Sequence, residues 1–268
     1  MGLLSEQVLE ILSIFSCLFF LILASIQDIK TRTVHDLTWI FMGSIGIVLA
    51  RLRYSFLPLN EFLLMELYAI LIPGIIILVL VLLKLVGEAE LLVFICIAAS
   101  FPQIPSLAPG NYPWLFKHLT IALPTLTNML FLLVVVMIIT MTSNIIKLLK
   151  GEELYFSRLS ISFFERFMLI VGGVLVDINK VEKYPFYVPL IEVKEGKIEL
   201  REASFKIEDV ENREELLSNL RDAGFQKVWV TIAIPLMPLI TISFLLSFFF
   251  DALLVVVKLL QITMRVVV

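Results

Sequence analysis

Apolar runs long enough to cross a bilayer recur along this 268-residue chain, and no other feature limits its fold so strongly. A helix crossing the hydrocarbon layer needs about 20 mostly apolar residues. Five stretches come close: Leu9–Ile26, Leu37–Ala50, Leu67–Leu83, Leu119–Ser143 and Val228–Phe250. A sixth, Leu91–Phe101, reaches that length only if its helix begins near Glu88 and continues past Pro102 and Pro105 to about Ala108. Composition agrees, with 60% of residues apolar or aromatic and only 17% charged, a surplus of apolar surface that lipid must solvate. Pro73, Pro124 and Pro238 fall inside these runs, where neighbouring helices satisfy the backbone groups that a proline frees.

The few charges are unevenly placed. Residues 151–228 hold 15 acids and 11 bases, leaving 19 of the 45 charged residues for the other 190 positions. The expected architecture is therefore a polytopic α-helical membrane protein, six transmembrane helices with a small α+β cytoplasmic insert before the last helix. Spans of about 9–26, 37–54, 67–84, 89–108 and 119–146 form a membrane domain over 1–150. The insert covers 151–228, and the last span with an apolar tail covers 229–268. Inside the insert, Tyr187–Val193 and Lys197–Arg201 alternate around Glu195-Gly196 as a hairpin would. Asp209–Arg221 reads as a short helix, with Asp209 as N-cap and Gly224 just past its end. Phe167–Val176 is apolar but short, and reads as a buried element rather than another crossing.

Loop charges set the orientation. An outside N-terminus puts Lys30, Arg32, Lys84, Lys147, Lys150 and Arg158 in the cytoplasm and only Arg51, Arg53 and Lys117 outside, as the positive-inside rule favours. The insert is then cytoplasmic, in a multi-pass protein of the cell membrane. Glu6 and Glu10, with no base ahead of the first run, argue against a cleaved secretory signal. A net acidic insert without a basic stripe argues against nucleic-acid binding. The two cysteines, Cys17 and Cys96, both inside apolar runs, rule out a disulfide scaffold or a metal cluster.

Ionisable side chains that gather at one depth near the hydrocarbon suggest a functional site. Asp28 ends the first span and Glu90 begins the fourth, so both carboxyls fall at the same membrane face whichever way the chain is inserted. Two carboxyls within a few ångströms do not easily both ionise. One keeps a proton and acts as acid while the other acts as base, an arrangement that activates water against a peptide carbonyl. Taken alone, Asp28 reads first as a solvated cap, which is what a lone Asp at a helix end most often is. Glu66, near the outer end of the third span, reads as an acid snorkelling to the interface, and Gly43 and Gly46 as small residues for close helix packing.

The segment Ser25-Ile26-Gln27-Asp28-Ile29-Lys30-Thr31-Arg32-Thr33-Val34-His35-Asp36 resembles the first signature of the type IV prepilin peptidase family. That signature is an Asp at the end of span 1, a short basic stretch, and an Asn or Asp opening span 2. Gly87-Glu88-Ala89-Glu90 resembles the second signature, Gly-x-hydrophobic-Asp at the start of span 4. Trp229-Val230-Thr231 with Ile234-Pro235-Leu236 is similar to the segment leading into the last span of the archaeal preflagellin peptidase branch, which also carries a soluble cytoplasmic domain there. The resemblance implies a membrane-embedded aspartyl-type endopeptidase that removes the short basic leader of preflagellins or prepilins at the cytoplasmic face. It makes Asp28 and Glu90 the catalytic pair, with Gly87, Glu88, Asp36 and His35 as surrounding or leader-contacting residues. No metal or organic cofactor is implied.

Glu90 stands where the family has Asp, one methylene longer. The alternatives are a homologue disabled at that position that binds leaders without cutting them, and a small transporter whose acids are ion ligands. The transporter reading calls for inverted repeats, and no acid in spans 5 and 6 mirrors Asp28 or Glu90.

Overall fold

A computed structural model of the chain describes residues 6–83, 86–108, 112, 118–150, 161–184, 187–194, 197–200, 213–232, 235–256 and 258. Lys84, Lys117, Arg158, Glu195, Gly196 and Asp209 lie outside the described residues. The chain is mostly helical and divides into two compact units, one of residues 1–132 with 235–268, the other of 133–234.

In the first unit, α1 (Glu6–Thr31) carries an acid in its first turn and Lys30 in its last, both favourable to the helix dipole. Then come α2 (Asp36–Arg53), α3 (Leu59–Leu82) and α4 (Glu88–Ser100). The long helix α5 (Ala122–Leu149) gives its first part to this unit and its remainder to the second. Three of these helices, α1, α3 and α5, are long and apolar enough to cross a membrane. Their outer faces stay apolar and exposed, as at Phe15, Phe19, Ile75 and Ile139, which is how a lipid-solvated helix differs from a water-facing one.

Two expected spans come out shorter. The fourth was expected to continue to about residue 108, but α4 stops at Ser100. Phe101 precedes Pro102, and the proline ring excludes the α conformation from the residue before it. The last was expected to begin at about residue 228, yet Lys227–Ile232 is a strand and the helix, α9 (Leu236–Leu246), begins only after Pro235. The β-branched and aromatic run Val228-Trp229-Val230 is fully buried in a sheet, which suits those side chains.

Packing within this unit joins α1 to α2 and α9, and α4 to α2 and α3. Gly46 permits the α2–α4 approach, since a Cβ there would lie 3.1 Å from Ser100 Cα. Ser25 Oγ and Thr241 Oγ1 meet at 2.8 Å between α1 and α9. Glu66 differs from expectation. Helix α3 begins at Leu59, so Glu66 sits two turns inside it, buried among neighbours that include the Arg53 charge rather than snorkelling outward.

The second unit opens with α6 (Phe163–Gly172), whose first turn is closed by a Ser162/Glu165 capping box. It leads into β1 (Val174–Asp177) and α7 (Ile178–Lys183). There follow β2 (Tyr187–Pro189), β3 (Ile191–Lys194), β4 (Lys197–Leu200), α8 (Arg213–Asp222) and β5 (Lys227–Ile232). The strands form an antiparallel sheet of order β1-β5-β2 and a separate β3-β4 hairpin in the expected position, with Ile191 opposite Leu200. Trp229, Val228, Leu169, Val181 and Leu220 centre the core. Gly224 follows α8 in the left-handed region at φ 80°. The stretch 167–176, expected to be buried, is instead the end of α6 and β1. Leu169 is buried, whereas Phe167 and Met168 are half exposed.

Candidate active site

Helix α1 runs without interruption to Thr31, and Asp28 occupies its last turn, buried at 9% exposure. Its Oδ2 accepts a hydrogen bond from the backbone N–H of Met237 at 3.0 Å. Met237 is the second residue of α9, a helix whose own N-cap, Pro235, supplies no capping side chain. The first N–H groups of a helix have no partner inside it and form a partial positive pole, so a carboxylate there is held by both a donor and the dipole. Asp28 thereby caps a helix more than 200 positions away in sequence.

The turn after Asp28 is tightly specified. Arg32 takes a left-handed φ of 59° while its N–H donates to Asp28 O at 3.1 Å. Its guanidinium is partly buried. Burial lowers the pKa of that group, and the neighbouring Asp28 charge opposes the shift. Gln27 Oε1 accepts from the His35 N–H at 3.0 Å and from Thr38 Oγ1 at 3.4 Å, so a side chain of α1 caps the start of α2. His35 is the N-cap residue of α2 but makes no side-chain cap, and Asp36 is the first helical residue. Both are exposed. Gln27 is thus a positioning residue that the sequence reading passed over, and its place beside Asp28 was the available signal.

Glu90 is the third residue of α4, with Gly87 as N-cap. Its side chain turns back over the first turn of the helix, which brings Oε2 close to Gly87. The fold-back needs a glycine, because a Cβ at position 87 would stand 2.7 Å from Glu90 Oε2. The extra methylene is therefore taken up locally, in curling the side chain over the first turn. Glu88, the first helical residue, is exposed.

Helix α1 touches α4 directly, and both pack on α2. Asp28 and Glu90 are near enough for the charge of one to act on the other. Each carboxylate meets the N-terminus of a helix, α9 for Asp28 and α4 for Glu90, and backbone N–H donors there stabilise negative charge. His35 and Asp36 open α2 after a short turn, on a connection tied to Gln27. Among the described residues no three His, Cys, Asp or Glu side chains gather as metal ligands, and Cys17 and Cys96 are buried free thiols. A buried carboxylate held by a backbone donor, with a second carboxylate and a guanidinium nearby, is equipped for proton transfer to and from a bound water or peptide.

No curated protein matches the chain. Residues 165–251, which run from α6 through the sheet and α9, match the family model described as Archaeal Peptidase A24 C-terminus Type II. The match covers about a third of the chain and supports an archaeal prepilin/preflagellin peptidase family for that segment.

Proposed function

We propose that the chain is a membrane-embedded endopeptidase of the aspartyl type that removes short basic leaders from preflagellin- or prepilin-like precursors. The observation that carries this reading is the buried Asp28 carboxylate, fixed by the Met237 N–H and within electrostatic reach of Glu90. Asp28 Oδ2 is engaged by that N–H, which leaves Oδ1 for a water. In the proposed reaction the ionised member of the pair takes a proton from this water as it attacks the scissile carbonyl. The protonated member donates to the carbonyl oxygen, and the amine then leaves with a proton returned by the pair. Precursors of this kind keep a basic leader in the cytoplasm and an apolar helix in the bilayer, so the bond to be cut lies at the depth of the ends of α1 and α4. In this reading six spans place the N-terminus outside, with Asp28, Glu90 and the insert on the cytoplasmic side. Glu88 and Asp36, both exposed acids, attract the leader, and His35 lines its path.

The test is incubation of the reconstituted chain with a membrane-inserted precursor carrying a short basic leader, followed by mass spectrometry of the released peptide. A single cut at the start of the apolar helix, absent with Asp28→Asn, is the expected result. One observation favours a second reading. The Glu90 side chain folds back over its own first turn beside Gly87, as a structural cap does. A homologue that binds leaders without cutting them would give no product as wild type and would gain cleavage with Glu90→Asp.

A further inference from the structure

Helix α6 distributes its apolar residues over two opposite faces. At about 100° per residue, Phe163, Phe164, Phe167, Met168 and Val171 fill an arc of roughly 140°. Leu169, the one side chain of this helix that is buried, points the other way. Packing of the second unit needs only the Leu169 side. Phe163 and Phe164 are 87% and 67% exposed, and Phe167 and Met168 each 50%. Three exposed phenylalanines on one short helix form an apolar patch that water does not tolerate cheaply.

Helix α5 fixes the depth of this patch. Its later part belongs to the same unit, and from it the buried Asn144 donates through Nδ2 to Ile170 O at 2.9 Å and Gly173 O at 2.7 Å. These are carbonyls at the C-terminal end of α6, which a helix leaves without internal partners. With 28 residues, α5 is about 42 Å long, roughly 12 Å more than the hydrocarbon layer, so when centred each end projects about 6 Å. Asn144 lies five residues before Leu149, about 7.5 Å from the helix end, which is the hydrocarbon boundary. Ile145, Ile146 and Leu148 around it are exposed apolar residues, as a lipid-covered flank requires. Lys147 and Lys150 follow at headgroup level, and Arg166 on α6 adds a third base. With only ten residues, α6 is about 15 Å long and too short to cross.

We propose that α6 lies in the plane of the membrane at the hydrocarbon–headgroup boundary, its phenylalanine arc seated in lipid and its Leu169 side on the protein. An interfacial helix buries its apolar face about 5–10 Å into that boundary, the level Asn144 sets, and the three bases suit anionic headgroups. The second unit is then held to the bilayer at two points, the end of α5 and the face of α6. The partner is the bilayer itself.

Nitroxide labels at Phe164→Cys and Phe167→Cys, with Lys183→Cys on α7 as a water-facing control, test this in the full chain reconstituted in liposomes. Cys17 and Cys96 are replaced by Ala to remove background. Power saturation with oxygen and with a water-soluble nickel complex reads the depth of each label. The expected result is oxygen access above nickel access at 164 and 167, with the order reversed at 183. Nickel access above oxygen access at 164 and 167 would overturn the proposal by placing the arc in water. Exclusion of both reagents there would overturn it by showing the arc covered by protein, a second copy included.

Discussion

The single methylene that separates Glu from Asp at position 90 decides where its carboxylate rests. Folded back beside Gly87, the carboxylate depends on the absence of a side chain at 87. Gly87→Ala places a Cβ within contact of Glu90 Oε2 and drives the carboxylate off its site. A shift of about 1 Å costs on the order of 100-fold in rate, so leader cleavage by Gly87→Ala should fall by about that factor with the amount of folded protein unchanged. Cleavage at the wild-type rate would show that the folded-back position is not the one used. The residues with chemical character at Asp28 and Glu90 were legible in the sequence because charge is so scarce there. The backbone donor from Met237 was not. It lies more than 200 positions from Asp28, and no local pattern announces that a helix without its own capping side chain will take a carboxylate from another helix.

Among the elements, α2 and α4 approach closely at Gly46 and Ser100, at the end of α4 away from Glu90, and α2 is the neighbour that α1 and α4 share. Gly46→Leu overfills that approach. Overpacking of this kind costs roughly 1–3 kcal/mol, which thermal unfolding in detergent should register as a lowered midpoint. The α6 capping box carries a pH signature of its own. Hydrogen bonds from Ser162 lower the pKa of Glu165 in the folded chain. A group with a depressed folded pKa stabilises the fold at pH above its unfolded pKa, and that contribution disappears as pH falls through the folded value. Glu165→Gln should therefore narrow its stability difference from wild type as the solution is acidified, followed by hydrogen exchange of α6. Helix existence was read well from apolar runs, as with α1, α3 and α5. Ends were read poorly, because hydropathy cannot tell the buried strand Val228-Trp229-Val230 from the first turn of a span, nor Phe101 from a helix that continues.

At the scale of the whole molecule, a strongly apolar helical unit carries few charges, and the sheet-containing unit of charged composition takes in the later part of α5. Three helices meet the length and composition of a crossing, and α2, α4 and α9 complete six in the proposed topology. Thiol labelling from either side of sealed vesicles should find a cysteine at Asn60, in the first turn of α3, reachable only from outside and one at Lys183 reachable only from the cytoplasmic side. The reverse pattern would invert the orientation, and reactivity of both positions from one side would contradict the six-span count.

In the proposed mechanism Asp28 and Glu90 act as one proton-transferring pair. The most direct test is the rate of leader release from a membrane-inserted precursor, measured side by side for wild type, Asp28→Asn and Glu90→Gln in the same liposomes. Loss of a proton-transferring group costs roughly 10²–10⁴-fold. Losses of that size are expected in both variants, with precursor binding retained. Cleavage by both at the wild-type rate would contradict that mechanism.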